Sequence, residues 1–137
     1  MTLQKEDRNT LVALRLQKAK ETMSEAKEII QLGFWRVVTN RIYYACYYAV
    51  TALLVKNGLT AHTHSGVITQ LGLHFVTKGI ISIEQGKLYK NLFEKRQTGD
   101  YDDWVTISES DIKPFVEPAE KFIAEIEILI NNSSTTE

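Results

Sequence analysis

The chain has 137 residues, enough for one domain with a real core but not comfortably for two. Its 44% apolar and 24% charged residues are ordinary for a globular protein, and a net charge of −1 excludes a chain-wide basic surface as a basis for binding nucleic acid or anionic membrane. The start MTLQKEDRNT is too polar for a signal peptide, no apolar run nears the ~20 residues of a membrane span, and the single Cys46 cannot form an internal disulfide. A cytoplasmic protein with no membrane partner is expected.

In chain order, residues 1–8 are polar and read as frayed, with Lys5 to Thr10 competing to start the first helix. Val12, Leu16, Ala19, Met23, Ala26 and Ile30 then fall at alternating steps of four and three, the seam of a long amphipathic helix. Gly33 should end it in a left-handed conformation. The stretch Phe34–Asn57 has no Gly or Pro and predicts a central helix of about 35 Å. Trp35, Val38, Ile42, Ala45, Ala49 and Leu53 form one stripe, widened by Val50 and Leu54. Arg41, Tyr44, Tyr48 and Val55 occupy a second face. A helix apolar most of the way round belongs at the centre of a bundle, and an arginine there needs a partner.

Asn57-Gly58 stops the central helix. Thr63 or Ser65 can cap the next, whose Val67, Ile68, Leu71 and Phe75 keep helical spacing to Lys78, before Gly79. A fourth helix is expected from Ile83 to Arg96, with Leu88, Leu92 and Phe93 inward. Gln97–Thr106, QTGDYDDWVT, reads as a loop. Ser108 and Asp111 resemble a capping box opening the last helix, with Ile112, Phe115, Ala119, Phe122, Ile126 and Leu129 inward and a kink expected at Pro118. The fold expected is all-α: an up-and-down bundle of four long helices plus a shorter one. Residues 1–131 form one domain and 132–137 a disordered tail.

No element carries a phosphate loop, a nucleophile elbow or a CxxC pair. His62-x-His64 with His74 lacks the second ligand pair that zinc sites recruit, so no metal is assigned. Asp100, Asp102 and Asp103 read as a hydrated acidic turn rather than a magnesium site. Tyr43, Tyr44, Tyr47 and Tyr48 cannot all point into one core, so some must face a groove or a partner chain.

Asn40-Arg41, Tyr43-Tyr44-Ala45, Gly58, Thr63-His64-Ser65-Gly66-Val67, Phe75-Val76, Lys78-Gly79, Arg96 and Gly99-Asp100-Tyr101-Asp102, in that order and spacing, resemble a HEPN domain (higher eukaryotes and prokaryotes nucleotide-binding) of the small stand-alone prokaryotic type. The resemblance covers Arg15 to Leu129. It implies a helical bundle that dimerises, no cofactor, and two candidate partners: RNA or a nucleotide, and a nucleotidyltransferase-like antitoxin of a toxin–antitoxin pair. Many members are metal-independent ribonucleases with Arg, four to six residues, then His on one helix. That Arg falls on Arg41, and the His falls on Tyr48, with six residues between. A Tyr with an ordinary pKa near 10 is a poor general base near neutral pH, whereas Arg41 can still grip a phosphate.

The catalytic pair implied is therefore Arg41 and an impaired Tyr48. Asn40, Arg41 and Tyr44 would bind nucleotide or RNA, with His64, Arg96, Asp100 and Tyr101 accessory. The expected function is a HEPN homodimer of toxin–antitoxin type. The alternatives are an active metal-independent endoribonuclease using another histidine, and a purely structural helical-bundle dimer. Arg41 has two expected arrangements: an ion pair with Asp100 or Asp102, or, favoured, a phosphate groove at the dimer seam.

Overall fold

Gly33 takes φ 73°, a backbone state that side chains resist, and there the chain doubles back. The computed structural model describes residues 4–133. Helix α1 (Lys5–Ile29) ends in a 3-10 turn, Ile30–Leu32, and α2 (Trp35–Lys56) returns antiparallel to it. Next come α3 (His64–Leu71), a π-helical turn (Gly72–Val76), α4 (Ile83–Tyr101), the single-turn α5 (Glu109–Ile112), a 3-10 turn (Lys113–Phe115) and α6 (Val116–Ser133). Among the described residues there is no strand, and no helix is long and apolar enough to cross a membrane.

The central position of α2 follows from its apolar circumference. It packs on α1, α4 and α6 and touches α3 and α5. Val38, Ile42, Ala45, Cys46, Ala49, Val50 and Ala52 are wholly buried. From α1, Val12, Leu16, Ala19, Met23 and Ala26 face it, as their heptad spacing predicts. Val67, Leu71 and Phe75 come from α3 and the π turn, and Ala119, Phe122 and Ile126 from α6. Two ion pairs clasp the first helix to the last, Lys20–Glu127 at 2.5 Å and Lys27–Glu120 at 2.8 Å.

Four expectations are corrected. Lys5–Arg8 are helical rather than frayed; residues 1–3 lie outside the described residues. The fourth helix continues through Gln97–Tyr101, expected to be loop. Gly99 suits this turn because a Cβ there would stand 2.5 Å from Ile107 Cδ1, and Asp100 reaches back four residues to Arg96. The last helix breaks at Lys113–Phe115 instead of kinking at Pro118. Pro114 has no N–H for the helical ladder, while Pro118 falls in the first turn of α6, where none is needed. Helix α6 also passes the expected tail boundary to reach Ser133, and 134–137 lie outside the described residues. The Ser108–Asp111 capping box forms as expected. Tyr89, not among the residues predicted inward, is wholly buried and stacks on Phe122.

Candidate functional site

One stripe of α2 is only partly covered by the other described residues. Phe34, Val37, Arg41, Tyr44 and Tyr48 follow at steps of three and four, and all are exposed or half-buried. Side chains of α1 flank the stripe on one side and those of α4 on the other.

Arg41 is held by Asn40, whose Oδ1 accepts from Nε at 3.2 Å and Nη2 at 2.8 Å. Its carboxylate neighbour is Glu25 of α1, 3.5 Å from Nη1, and not the expected Asp100 or Asp102. The antiparallel α1 brings Glu25 alongside, while Asp100 pairs with Arg96 on its own helix. Asp102 accepts instead from the Trp104 backbone N–H at 3.0 Å. With 31% of its side chain exposed, Arg41 is not a buried cation.

The arginine that is buried here is Arg96, 7% exposed. Its Nη1 stands 3.5 Å from Asp100 Oδ2, and its buried Nε has no acceptor among the described residues. Its guanidinium carbon lies 5.1 Å from the ring centre of Tyr43, 5.5 Å from Tyr44, 5.9 Å from Phe93 and 6.0 Å from Tyr101. Ring faces attract a cation, and desolvation strengthens the attraction. Asn40 joins the two arginines: its Nδ2 donates to Asp100 Oδ2 at 3.3 Å while its Oδ1 accepts from Arg41. Arg41 and Arg96 thus flank one ring, Tyr44, at 5.7 and 5.5 Å.

His64 opens α3, where Thr63 caps the helix by accepting from the Gly66 N–H at 2.9 Å. Its Nδ1 is 2.5 Å from the Tyr43 hydroxyl, and its ring stacks on Tyr47 with centres 4.7 Å apart. Burial, and then the Arg96 charge, hold its pKa below the usual histidine value, while burial pushes Tyr43 up to about 12. At neutral pH the pair is therefore a protonated phenol and a neutral imidazole. An open groove of about 580 Å3 runs between the start of α3 and α4, lined by Tyr44, Thr63, His64, Ser65, Phe93, Arg96, Gln97 and Tyr101.

The fold thus brings together Asn40, Arg41, Tyr44, His64, Arg96, Asp100 and Tyr101. Tyr48 stands one ring further along, 6.0 Å from Tyr44, with Lys18 Nζ 4.8 Å from its ring centre. Sequence reasoning missed Glu25, Tyr43, Tyr47 and Phe93 as site residues. A signal existed: Tyr43 and Tyr47 on α2, and Tyr89, Phe93 and Arg96 on α4, repeat at steps of three and four. Among the described residues no three His, Cys, Asp or Glu side chains converge as a metal ion would need.

The sequence profile of the family described as HEPN domain matches residues 12–129. A UPF0332 protein of Thermotoga maritima is 39% identical over 115 residues, covering 84% of this chain and 87% of its own. A Methanocaldococcus jannaschii protein named "Putative toxin MJ0605" is 32% identical over 94% of this chain and 90% of its own. The crystal structure of TT1696 from Thermus thermophilus superposes with a TM-score of 0.72 at 17% identity, over 85% of this chain and 95% of that one, a likeness of fold.

Proposed function

The chain belongs to the HEPN domain family, and from that premise we propose that it is a toxin-type member whose partly covered α2 stripe pairs with a second copy and grips a phosphate of RNA or a nucleotide at Arg41. The observation that carries this reading is how Arg41 is held. Asn40 fixes its guanidinium through two donors, and its carboxylate contact is a 3.5 Å approach to Glu25, itself 57% exposed. An oriented guanidinium with a weak, solvated counter-ion is suited to a planar, bidentate anion. In a dimer, two such charges across the seam would repel, and a bound anion would relieve that repulsion. In a toxin–antitoxin setting, the same face or its surroundings would meet a nucleotidyltransferase-like partner.

Thermal melting with and without phosphate, sulfate or a nucleotide tests the reading, because a ligand of the folded state alone raises Tm. Arg41→Ala should abolish the rise and Arg41→Lys should keep part of it. A rise that persists undiminished in Arg41→Ala sinks the Arg41 assignment. Light scattering that returns a monomer in dilute solution sinks the dimer.

One observation favours a second reading, an active ribonuclease. Tyr48 occupies the motif's histidine position, but His64 shares the groove with Arg96 and is neutral at pH 7, so it can take a proton. Metal-free cleavage of total RNA by the wild type and loss of that cleavage in His64→Ala are then expected. Intact RNA in both excludes it.

A further inference from the structure

The orientation of Arg41 is set by side chains that act on it in series. Asn40 Oδ1 accepts from Nε and Nη2 of Arg41, at 3.2 and 2.8 Å, so one edge of the guanidinium is taken. The other edge, between Nη1 and Nη2, can meet two oxygens of one anion side by side. Glu25 approaches Nη1 at 3.5 Å from a position 57% exposed, and is the group an anion would displace. An asparagine amide can turn either its oxygen or its nitrogen toward Arg41, and only the oxygen can accept. The far end of the amide selects the oxygen, because Nδ2 donates to Asp100 Oδ2 at 3.3 Å. Asp100 is held in turn by Arg96, 3.5 Å away and one turn back on α4, and the two side chains are only 20% and 7% exposed. Helix α2 supplies the amide and α4 the carboxylate, so the setting exists only in the folded bundle.

We infer that Asn40 and Asp100 are positioning residues for Arg41: the Arg96–Asp100 pair fixes the Asn40 amide, and the amide leaves the Nη1–Nη2 edge of Arg41 for the anion. This rests on the reading of Arg41 as the residue that grips the anion, and it gives Asn40, Asp100 and Arg96 a role that needs no contact with the ligand. The residue types fit the places. Between a carboxylate and a guanidinium, a side chain must donate on one side and accept on the other, and an amide does both. An aspartate in place of Asn40 would accept from Arg41 but would set a like charge against Asp100. An apolar residue there would hold neither neighbour. Released from Asn40, Arg41 would turn toward Glu25, its other neighbour, and that pairing would compete with the anion.

The Nε–H hydrogen of Arg41 provides a readout that needs no ligand. Its exchange with solvent is followed by NMR in the full chain, the signal being assigned by its loss in Arg41→Lys. In the wild type the bond to Asn40 should slow it. Asn40→Ala and Asp100→Ala should each speed it several-fold, although Asp100 does not touch Arg41, and the double variant should add little because the two act in series. The backbone amides of α2 should stay slow in all three, which a merely structural role would not allow. With inorganic phosphate or sulfate, the rise in Tm should shrink in Asn40→Ala and Asp100→Ala and vanish in Arg41→Ala. Asp100→Ala leaves Arg96 without its carboxylate, so a milder pair is made as well. Asn40→Asp alone sets two carboxylates face to face. Adding Asp100→Asn returns a donor opposite an acceptor, so the double variant should melt higher than the two single changes together predict. Strictly additive changes overturn the inference. So does an Arg41 hydrogen that Asp100→Ala leaves slow, or an anion-dependent rise undiminished in Asn40→Ala and Asp100→Ala. If the wild type shows no such rise while Asp100→Ala still frees the hydrogen, the positioning is supported and it is the anion reading of Arg41 that fails.

Discussion

The Tyr43 hydroxyl lies 2.5 Å from Nδ1 of His64, tying a wholly buried side chain of α2 to the first residue of α3. That contact fixes the imidazole of His64 in a groove where burial and Arg96 both disfavour its protonation.

A stability loss on acidification should follow. The folded-state pKa of His64 is lowered, and an unfolded histidine titrates near 6.5. Below that pH the unfolded chain binds a proton that the folded chain refuses. The contribution is full above about pH 6.5 and is lost as pH falls through that value toward the folded pKa. Urea midpoints for wild type and His64→Gln at about pH 7 and about pH 5 check this. The wild type should lose more stability between the two than the variant, and parallel losses would show that His64 is not responsible.

The alkaline side carries the opposite sign. Burial pushes Tyr43 up to about 12 and raises Tyr89 as well. The folded chain keeps protons that unfolded tyrosines release near pH 10, so this stability is present below about pH 10 and is lost as pH rises through about 12. Ultraviolet titration of the six tyrosines should show a late-ionising fraction, reduced in Tyr43→Phe. A single transition unchanged by that substitution would contradict it.

Truncations along α2 and α4 should rank by burial. Tyr89→Ala removes a wholly buried ring and should cost about 3–5 kcal/mol. Tyr48→Ala removes a half-buried one and should cost about half as much in the monomer. A larger loss for Tyr48→Ala that grows with protein concentration would mark Tyr48 as part of the dimer seam. An unchanged melt together with loss of RNA or nucleotide binding would make it a functional group instead.

Gly33→Ala should lower stability by about 1–2 kcal/mol, since φ 73° brings a Cβ against the backbone. Chemical denaturation checks it. A neutral result would mean that the turn between α1 and α2 can reshape.

The bundle was legible because its signal is periodic. The α1 seam and the α2 stripe recur at steps of three and four over many turns, and burial follows those steps. The breaks were less legible. Gly99 and the acids of QTGDYDDW look like loop residues in isolation, but α4 continues through Tyr101, with Asp100 paired to Arg96 one turn back and Ile107 in the space a side chain at Gly99 would need. For the site, the family pattern named residues that the fold does bring together, yet their pairing depended on facing helices. Glu25 rather than Asp100 neighbours Arg41 because α1 lies antiparallel beside α2, and the buried arginine proved to be Arg96. His64 gains its surroundings from Tyr43, Tyr47 and Phe93, two of them on α2 and one on α4, which local spacing cannot align.

Because α2 touches every other helix, no part of the bundle can swing away and free its backbone alone. Its amide hydrogens should therefore exchange with deuterated solvent only when the whole molecule opens, at a rate set by global stability. The exposed segment from Asp102 to Thr106, covered by nothing comparable, should exchange at once. A deuteration map would thus trace a slow cylinder along Val38–Leu54, with its protection fading toward Tyr101, at the rim of the groove.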